Sequence, residues 1–260
     1  MRKQRFANSP FESARAQRFE MKYLITDIEA EEVKCFIEPY MSPDRHAVEG
    51  ATYEVNTMYL DSPDLALYWS SERGELDRFK LRIRSYTDYP DAPVFFEIKR
   101  RLNHVISKRR ARVHRNAVQT ALAGEAIVPG VLAVATDDES ETLLQFRDRM
   151  EFLEATPRVA VRYLREAYES DFEDRVRVTI DQSLACLPCP EYDPAVWTFD
   201  ERWYNMSHFA AVLEIKFSDV FPDWLRLLVQ RLHLVRDSIA KYVVCMKELG
   251  HEGVYVPELA

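Results

Sequence analysis

The chain has 260 residues, 47% of them hydrophobic and 12% aromatic, with a net charge of −8, a composition that provides for one substantial core and excludes a disordered or fibrous chain. No apolar run approaches the roughly 18 residues of a membrane helix, and the opening MRKQRFANSPFESARAQ lacks a signal peptide's apolar stretch, so a cytoplasmic protein without a membrane span is expected. Four cysteines, Cys35, Cys186, Cys189 and Cys245, are too scattered for a disulfide framework; the Cys186-Cys189 pair lacks a second pair to complete a zinc site and is expected to serve as two small apolar residues near a strand end.

Residues 1–15 read as a polar arm and 16–260 as a single domain, since no Gly- or Ser-rich linker and no repeat divides the chain. RFEMKYLI (18–25) alternates as a strand and runs into Thr26 with Glu29 behind it, a helix start; Ile28, Val33, Phe36, Ile37 and Tyr40 form that helix's apolar face. NTMYLD (56–61) is a strand, and Ser62-Pro63 read as the cap and first-turn proline of a short helix through Leu67 and Trp69. Three strongly alternating strands follow, RFKLRIRSY (78–86), VFFEIKRR (94–101) and ISKRRARVH (106–114), then a helix from Asn116 to Gly124 and an acidic helix over about Asp138–Leu153. VAVRYLREAY (159–168), RVRVTID (175–181) and AAVLEIKF (210–217) are further strands. An amphipathic helix from Asp219 to about Leu234, with Leu225, Leu228 and Leu232 on one side, and a helix from Ser238 to Leu249 ending at Gly250 close the chain. About eight strands, mostly adjacent in sequence, predict an antiparallel α+β domain.

Charge is distributed unevenly. Residues 78–115 hold twelve Lys or Arg against Asp88, Asp91 and Glu97, a balance of +9 that leaves −17 for the rest. The period of two groups Arg18, Glu20 and Lys22 on one face, then Arg78, Lys80, Arg82 and Arg84, then Phe95, Glu97 and Lys99, then Lys108, Arg110 and Arg112. Later strands group Tyr163 with Arg165, Arg175 with Arg177, Thr179 and Asp181, and Glu214 with Lys216. Such faces ordinarily point to water. Here the repetition over seven strands, with cations outnumbering carboxylates, points instead to an interior lined by charge if the sheet closes, with its apolar face covered by helices. Like charges about 4 Å apart repel by roughly 4 kcal/mol at an effective dielectric near 20. That interior therefore calls for water, counter-ions or a polyanion, and phosphate matches Arg and Lys best. Carboxylates there suit Mg²⁺ or Mn²⁺. A nucleic-acid module on the basic run is disfavoured, because aromatics do not interleave with its basic face and the rest of the chain is acidic.

RFEMKY, LRIRSY, FFEIKRR, SKRRARV, YLREAY, RVRVTID, AVLEIKF and AKYV, in that order from about Arg18 to Gly250, resemble the VTC domain, the polyphosphate polymerase domain of the triphosphate tunnel (CYTH-like) superfamily. The resemblance implies a closed, eight-stranded antiparallel β-barrel with helices packed outside. It implies binding of a nucleoside triphosphate, ATP first, with Mn²⁺ or Mg²⁺, and transfer of the terminal phosphate to pyrophosphate or polyphosphate. By position, Arg82, Arg84, Lys99, Arg165 and Arg177 correspond to phosphate ligands at the reacting centre, and Lys22, Lys80, Lys108, Arg110 and Lys241 to further phosphate contacts. Glu214 resembles the family's metal-binding glutamate. Glu20 and Glu97 are second-rank ligands, or else partners that orient Lys22 and Lys99, and Tyr163 borders the ligand or fills the tunnel. Arg18 stands where the superfamily commonly has a first glutamate, and Ser238 and Ala240 replace a basic residue and a serine near Lys241. Coupling of synthesis to transport would need another protein. The alternatives in the same tunnel are a triphosphatase, with water as acceptor, and a non-catalytic polyphosphate binder.

Overall fold

Alternating strands and short amphipathic helices dominate the computed structural model, which describes residues 18–44, 52–103, 105–123, 129–170, 176–192, 194–197, 203–206, 211–218 and 220–251. The arm at 1–15, Gly124, Arg175 and Asp219 lie outside the described residues. In chain order the elements are β1 (Arg18–Ile25), α1 (Asp27–Ile37), β2 (Met41–Pro43), β3 (Thr52–Asp61), α2 (Ala66–Glu72), β4 (Asp77–Ser85), β5 (Val94–Leu102), β6 (Val105–Val113), α3 (Val118–Leu122), α4 (Asp137–Phe152), β7 (Thr156–Ser170), β8 (Arg177–Pro188), β9 (Tyr204–Asn205), β10 (Ala211–Ser218), α5 (Asp223–Arg231) and α6 (Lys241–His251).

Eight strands form one antiparallel path, β1-β10-β8-β7-β3-β4-β5-β6, with β2 added on β7 and β9 on β8. The expected closed barrel is corrected here: no hydrogen-bonded ladder joins β1 to β6, so the sheet is open among the described residues. It nonetheless rolls up, because Lys99 Nζ of β5 lies 3.3 Å from Glu20 of β1, at the opposite end of the path. Both edges carry cations on the rolled face, Lys22 on one and Lys108 and Arg110 on the other, and like charges placed opposite one another disfavour a closing ladder.

The outer face is covered as expected by two helical layers. α1 and α5 pack on β1, β8 and β10 through Val33, Ile37, Leu225 and Leu228, while α4 packs on β4–β6 through Leu143 and Phe146. The capping box at Thr26 and Glu29 starts α1 as read from sequence. Ile28, assigned to the apolar face, is 75% exposed, because the buried stripe runs through Ala30, Val33 and Ile37. Ser62 sits one turn ahead of α2 rather than capping it: the helix begins after Leu65 in the left-handed region (φ 58°), and the Ser62 hydroxyl accepts from the Ala66 N–H. Cys186, near the end of β8, and Cys189, just past it, are both buried, as two small apolar residues.

α6 departs from the expected outside placement. Its Tyr242 stacks on Tyr59 (centroids 5.0 Å apart), and Val243, Cys245 and Met246 join Val55, Val159, Val161 and Tyr163 in one cluster. Tyr59 and Val55 share their face with Thr57, whose hydroxyl accepts from Arg84, so α6 lies on the charged, inner face. The buried Asp61 fastens it there, accepting from the Tyr242 hydroxyl at 2.6 Å and from the first N–H groups of α2.

Candidate functional site

Register brings the charged residues together. Between β4 and β5, Lys80 faces Lys99, Arg82 faces Glu97 and Arg84 faces Phe95; between β5 and β6, Lys99 faces Lys108 and Glu97 faces Arg110. Across the roll, Lys22 faces Glu214 and Glu20 faces Lys216, Glu214 faces Thr179, and Arg165 faces Asp181. Among the described strand residues singled out from the sequence, Glu20, Lys22, Lys80, Arg82, Arg84, Glu97, Lys99, Lys108, Arg165, Arg177 and Glu214 come together on this face, whereas Arg112 turns to Glu139 of α4, and α6 adds Lys241 from its first position.

One wall, built by β1, β10, β8 and β7, is saturated with ion pairs. Lys22 lies 3.1 Å from Glu20 and 3.3 Å from Glu214, and donates to the Ile239 carbonyl. Lys216 holds the other Glu214 oxygen. Burial pushes the Glu20 carboxyl up, but Lys22 and Lys99 overcome it and hold it at about 2; Glu214 is likewise held well below the usual range, burial being outweighed by Lys216 and Lys22. Arg165 grips Asp181 through two hydrogen bonds of 2.6 and 2.8 Å, and Lys241 reaches the same carboxylate at 2.6 Å. Asp181 therefore sits at about 2 despite its burial. Tyr163 lies beneath both cations, 5.3 Å from Arg165 and 4.6 Å from Lys241. Arg177, nearer a mouth, is held by Asp44 and by Glu169 at 2.9 Å.

The other wall, built by β4, β5 and β6, is short of carboxylates. Arg82 binds Glu97 through Nε at 2.8 Å, and Lys108 approaches the other Glu97 oxygen at 3.4 Å without a hydrogen bond. Arg84 is 6% exposed and uses its Nε on Thr57 at 3.0 Å. Among the described residues no carboxylate pairs with Arg84, Lys80 or Arg110. Burial, with Lys22, Lys99 and Arg82 around it, pulls Lys80 well below the ordinary lysine value. Burial first, then Lys22, brings Lys99 down to about 7 against the opposing pull of Glu20.

The three carboxylates expected to hold a metal are not one cluster. Glu97 belongs to Arg82 and Lys108, since it faces Arg82 across the ladder, and among the described residues no group of three or more His, Cys, Asp or Glu is gathered. Glu20 and Glu214 do converge, both on Lys22. Glu20 also orients Lys22 and Lys99 as the alternative reading had it; Glu97 orients Arg82 and Lys108, not Lys99. Asp181, Lys216 and Asp44 were missed as site residues. Asp181 had one available signal, its place on the Arg177–Thr179 face. A separate cavity of about 540 Å³ lies between α1 and α5, lined by Ile28, Cys35, Phe36 and Leu228, and shares no residue with this interior.

A protein-family model described as the VTC domain matches residues 17–249. No curated protein matches the sequence. Among solved structures, a candidate adenylate cyclase from Bacillus halodurans is 13% identical over 86% of this chain and 94% of its own, with a TM-score of 0.46. A Hippeastrum protein described as revealing a dominant triphosphatase activity is 12% identical over 92% and 98%, with a TM-score of 0.46. A protein from Pyrococcus horikoshii OT3 is 11% identical over 89% and 99%, with a TM-score of 0.44.

Proposed function

This chain belongs to the VTC domain family, and on that footing we propose that it is a polyphosphate polymerase-like phosphotransferase, taking the terminal phosphate of a nucleoside triphosphate, ATP first, and passing it to pyrophosphate or polyphosphate. The observation that carries this reading is the excess of cations on the β4–β6 wall, where no carboxylate among the described residues pairs with Lys80, Arg84 or Arg110 and Arg82 and Lys108 share Glu97. Lys108 and Arg110 are exposed on the edge strand, but Arg84 is buried, and a buried guanidinium without a carboxylate is costly; a phosphate chain supplies the bidentate acceptors that offset the cost.

Arg84 and Arg82 hold oxygens of the phosphate in transfer, Lys80 and Lys99 neutralise the neighbouring phosphate, and Arg110 and Lys108 receive the chain on the β6 side. Arg165, Lys241 and Arg177, like Arg82 on Glu97, are paired with carboxylates and act on a ligand by sharing or exchanging those partners. Glu20 and Glu214 are ionised oxygen donors that converge on the Lys22 ammonium; with Lys22 turned to a phosphate, the two carboxylates would suit Mg²⁺ or Mn²⁺, which take one or two carboxylates and complete their shell with water and phosphate oxygens. Such an ion, when bound, supplies charge neutralisation and Lewis acidity at the phosphates. Positioning and fixed charge then account for the rate, without a covalent enzyme intermediate.

The test is the purified chain with ATP, Mn²⁺ and a pyrophosphate primer, followed by gel analysis of polymer and assay of free phosphate. Polymer is expected. Free phosphate without polymer assigns water as the acceptor, and unchanged ATP overturns the enzyme reading.

A further inference from the structure

Three aromatic rings from three strands meet at one mouth of the rolled sheet, a grouping the transfer chemistry above does not use. Tyr53 lies at the start of β3, Tyr86 directly after β4 and Phe95 at the start of β5. The Tyr53 and Tyr86 rings are 6.2 Å apart at 61°, and those of Tyr86 and Phe95 are 5.4 Å apart at 70°. All three are half-buried, so each keeps ring surface open to the mouth. The mouth is the one away from α6: Tyr53 and Tyr59 share a face of β3 six residues apart, about 20 Å of strand, and it is Tyr59 that stacks on α6.

Two of the rings adjoin cations that no carboxylate among the described residues pairs. The Arg84 guanidinium lies 5.9 Å from the Tyr86 ring centre, and that of Arg110 lies 5.2 Å from Phe95. Arg177 donates to the Tyr53 hydroxyl at 3.4 Å. Flat apolar surface beside unneutralised guanidinium is complementary to a ligand that is a flat base at one end and a phosphate chain at the other. We infer that Tyr53, Tyr86 and Phe95 are the stacking shelf for the base of a nucleoside triphosphate whose phosphates lie on Arg84 and Arg110. The inference rests on the triphosphate reading above and sharpens it: the donor is a nucleotide, not inorganic triphosphate. Stacking accepts any base, since every base has a π-face, and favours the larger purines.

The experiment is calorimetric titration of the whole chain with ATP and, separately, inorganic tripolyphosphate, for the native protein, Phe95→Leu and Phe95→Trp, with thermal unfolding of each as a fold check. The readout is the ratio of the two affinities, which a general loosening of the tunnel leaves unchanged. Phe95→Leu is expected to lower the ratio of ATP to tripolyphosphate affinity roughly 5- to 150-fold, the range that base stacking on one ring provides. Phe95→Trp, with the larger stacking face, is expected to raise it, so that if the leucine variant does not fold, an unchanged or lowered ratio in Phe95→Trp by itself overturns the shelf. An unchanged ratio in both variants overturns the shelf and leaves the tunnel as a triphosphate site. Failure of the native protein to bind either ligand overturns the tunnel reading and the shelf with it.

Discussion

On the wall formed by β1, β10, β8 and β7, Lys22, Lys216, Arg165, Lys241 and Arg177 each have a carboxylate within ion-pair distance; on the wall formed by β4, β5 and β6, Glu97 is the one carboxylate facing Lys80, Arg82, Arg84, Lys108 and Arg110 among the described residues. The residue types are the same. Where a charge is matched within the protein, it serves the fold, and removing either partner leaves a buried ion. Where cations outnumber their partners, the protein carries a deficit that a ligand can fill, and removing one cation relieves repulsion while weakening the ligand.

The largest effect that tests this contrast is on stability. Arg165→Ala strands Asp181 in a buried site with Lys241 as its remaining cation, and should lower the urea-unfolding free energy by about 3–5 kcal/mol. Arg84→Ala, equally buried but without a carboxylate, should change it by less than about 1 kcal/mol, in either direction. Equal losses from the two variants would show that the walls do not differ. On binding the order reverses. Arg84→Ala should weaken tripolyphosphate by about 2–3 kcal/mol, roughly 30- to 150-fold, as expected for a lost charge-assisted contact; calorimetry of the variant reads it directly.

Acid isolates the saturated wall. Burial raises the Asp181 carboxyl and Arg165 and Lys241 more than reverse this, leaving it at about 2 against an ordinary 3.8. Because the folded value is the lower, the stabilisation is complete above the unfolded value and is lost as pH falls through the folded one. The stability gap between the native chain and Asp181→Asn should therefore shrink by about 2 kcal/mol between pH 4 and pH 2. A gap that stays constant over that window would mean that Asp181 is not held as an ion.

The contrast between walls was only partly legible in the sequence. Which residues share a face follows from the period of two, and that much was legible for the strands that carry the charged residues, including the cations of RFKLRIR and the glutamates of FFEIKRR and AVLEIKF; β2, β3 and β9 were assigned no face. Which charge meets which depends on register and roll. Glu97 lies two residues from Lys99 in the chain yet binds Arg82 across the ladder, and Glu20 reaches Lys99 only because the ends of the sheet approach each other. Asp181 was visible on its face but not as an anchor, since Arg165 is 16 residues away. Phe95 was visible on the face of Glu97 and Lys99 and Tyr86 two residues beyond Arg84, but their meeting with Tyr53 depends on the pairing of three strands. An amphipathic helix states that it covers something and not which side of a sheet, so α6 was expected outside. Closure of the barrel came from the family resemblance alone, and no local pattern in β1 or β6 encodes a ladder between them.

The smallest effect is the sharpest test of what the matched carboxylates are for. Glu214→Gln keeps the shape of the side chain and removes one negative charge from between Lys22 and Lys216. If Glu214 serves only to neutralise those lysines, the interior becomes more positive by one charge, and tripolyphosphate without metal should bind tighter by about 1 kcal/mol, roughly fivefold. If Glu214 is also an oxygen ligand, the same variant should retain Mn²⁺ less well in the presence of tripolyphosphate, read from the free-ion signal in electron paramagnetic resonance. Tighter metal-free binding together with weaker Mn²⁺ retention is the expected pair of outcomes. Weaker tripolyphosphate binding without metal would instead mean that the carboxylate works by seating Lys22 for the anion, and the saturated wall would then belong to the binding surface rather than to its frame.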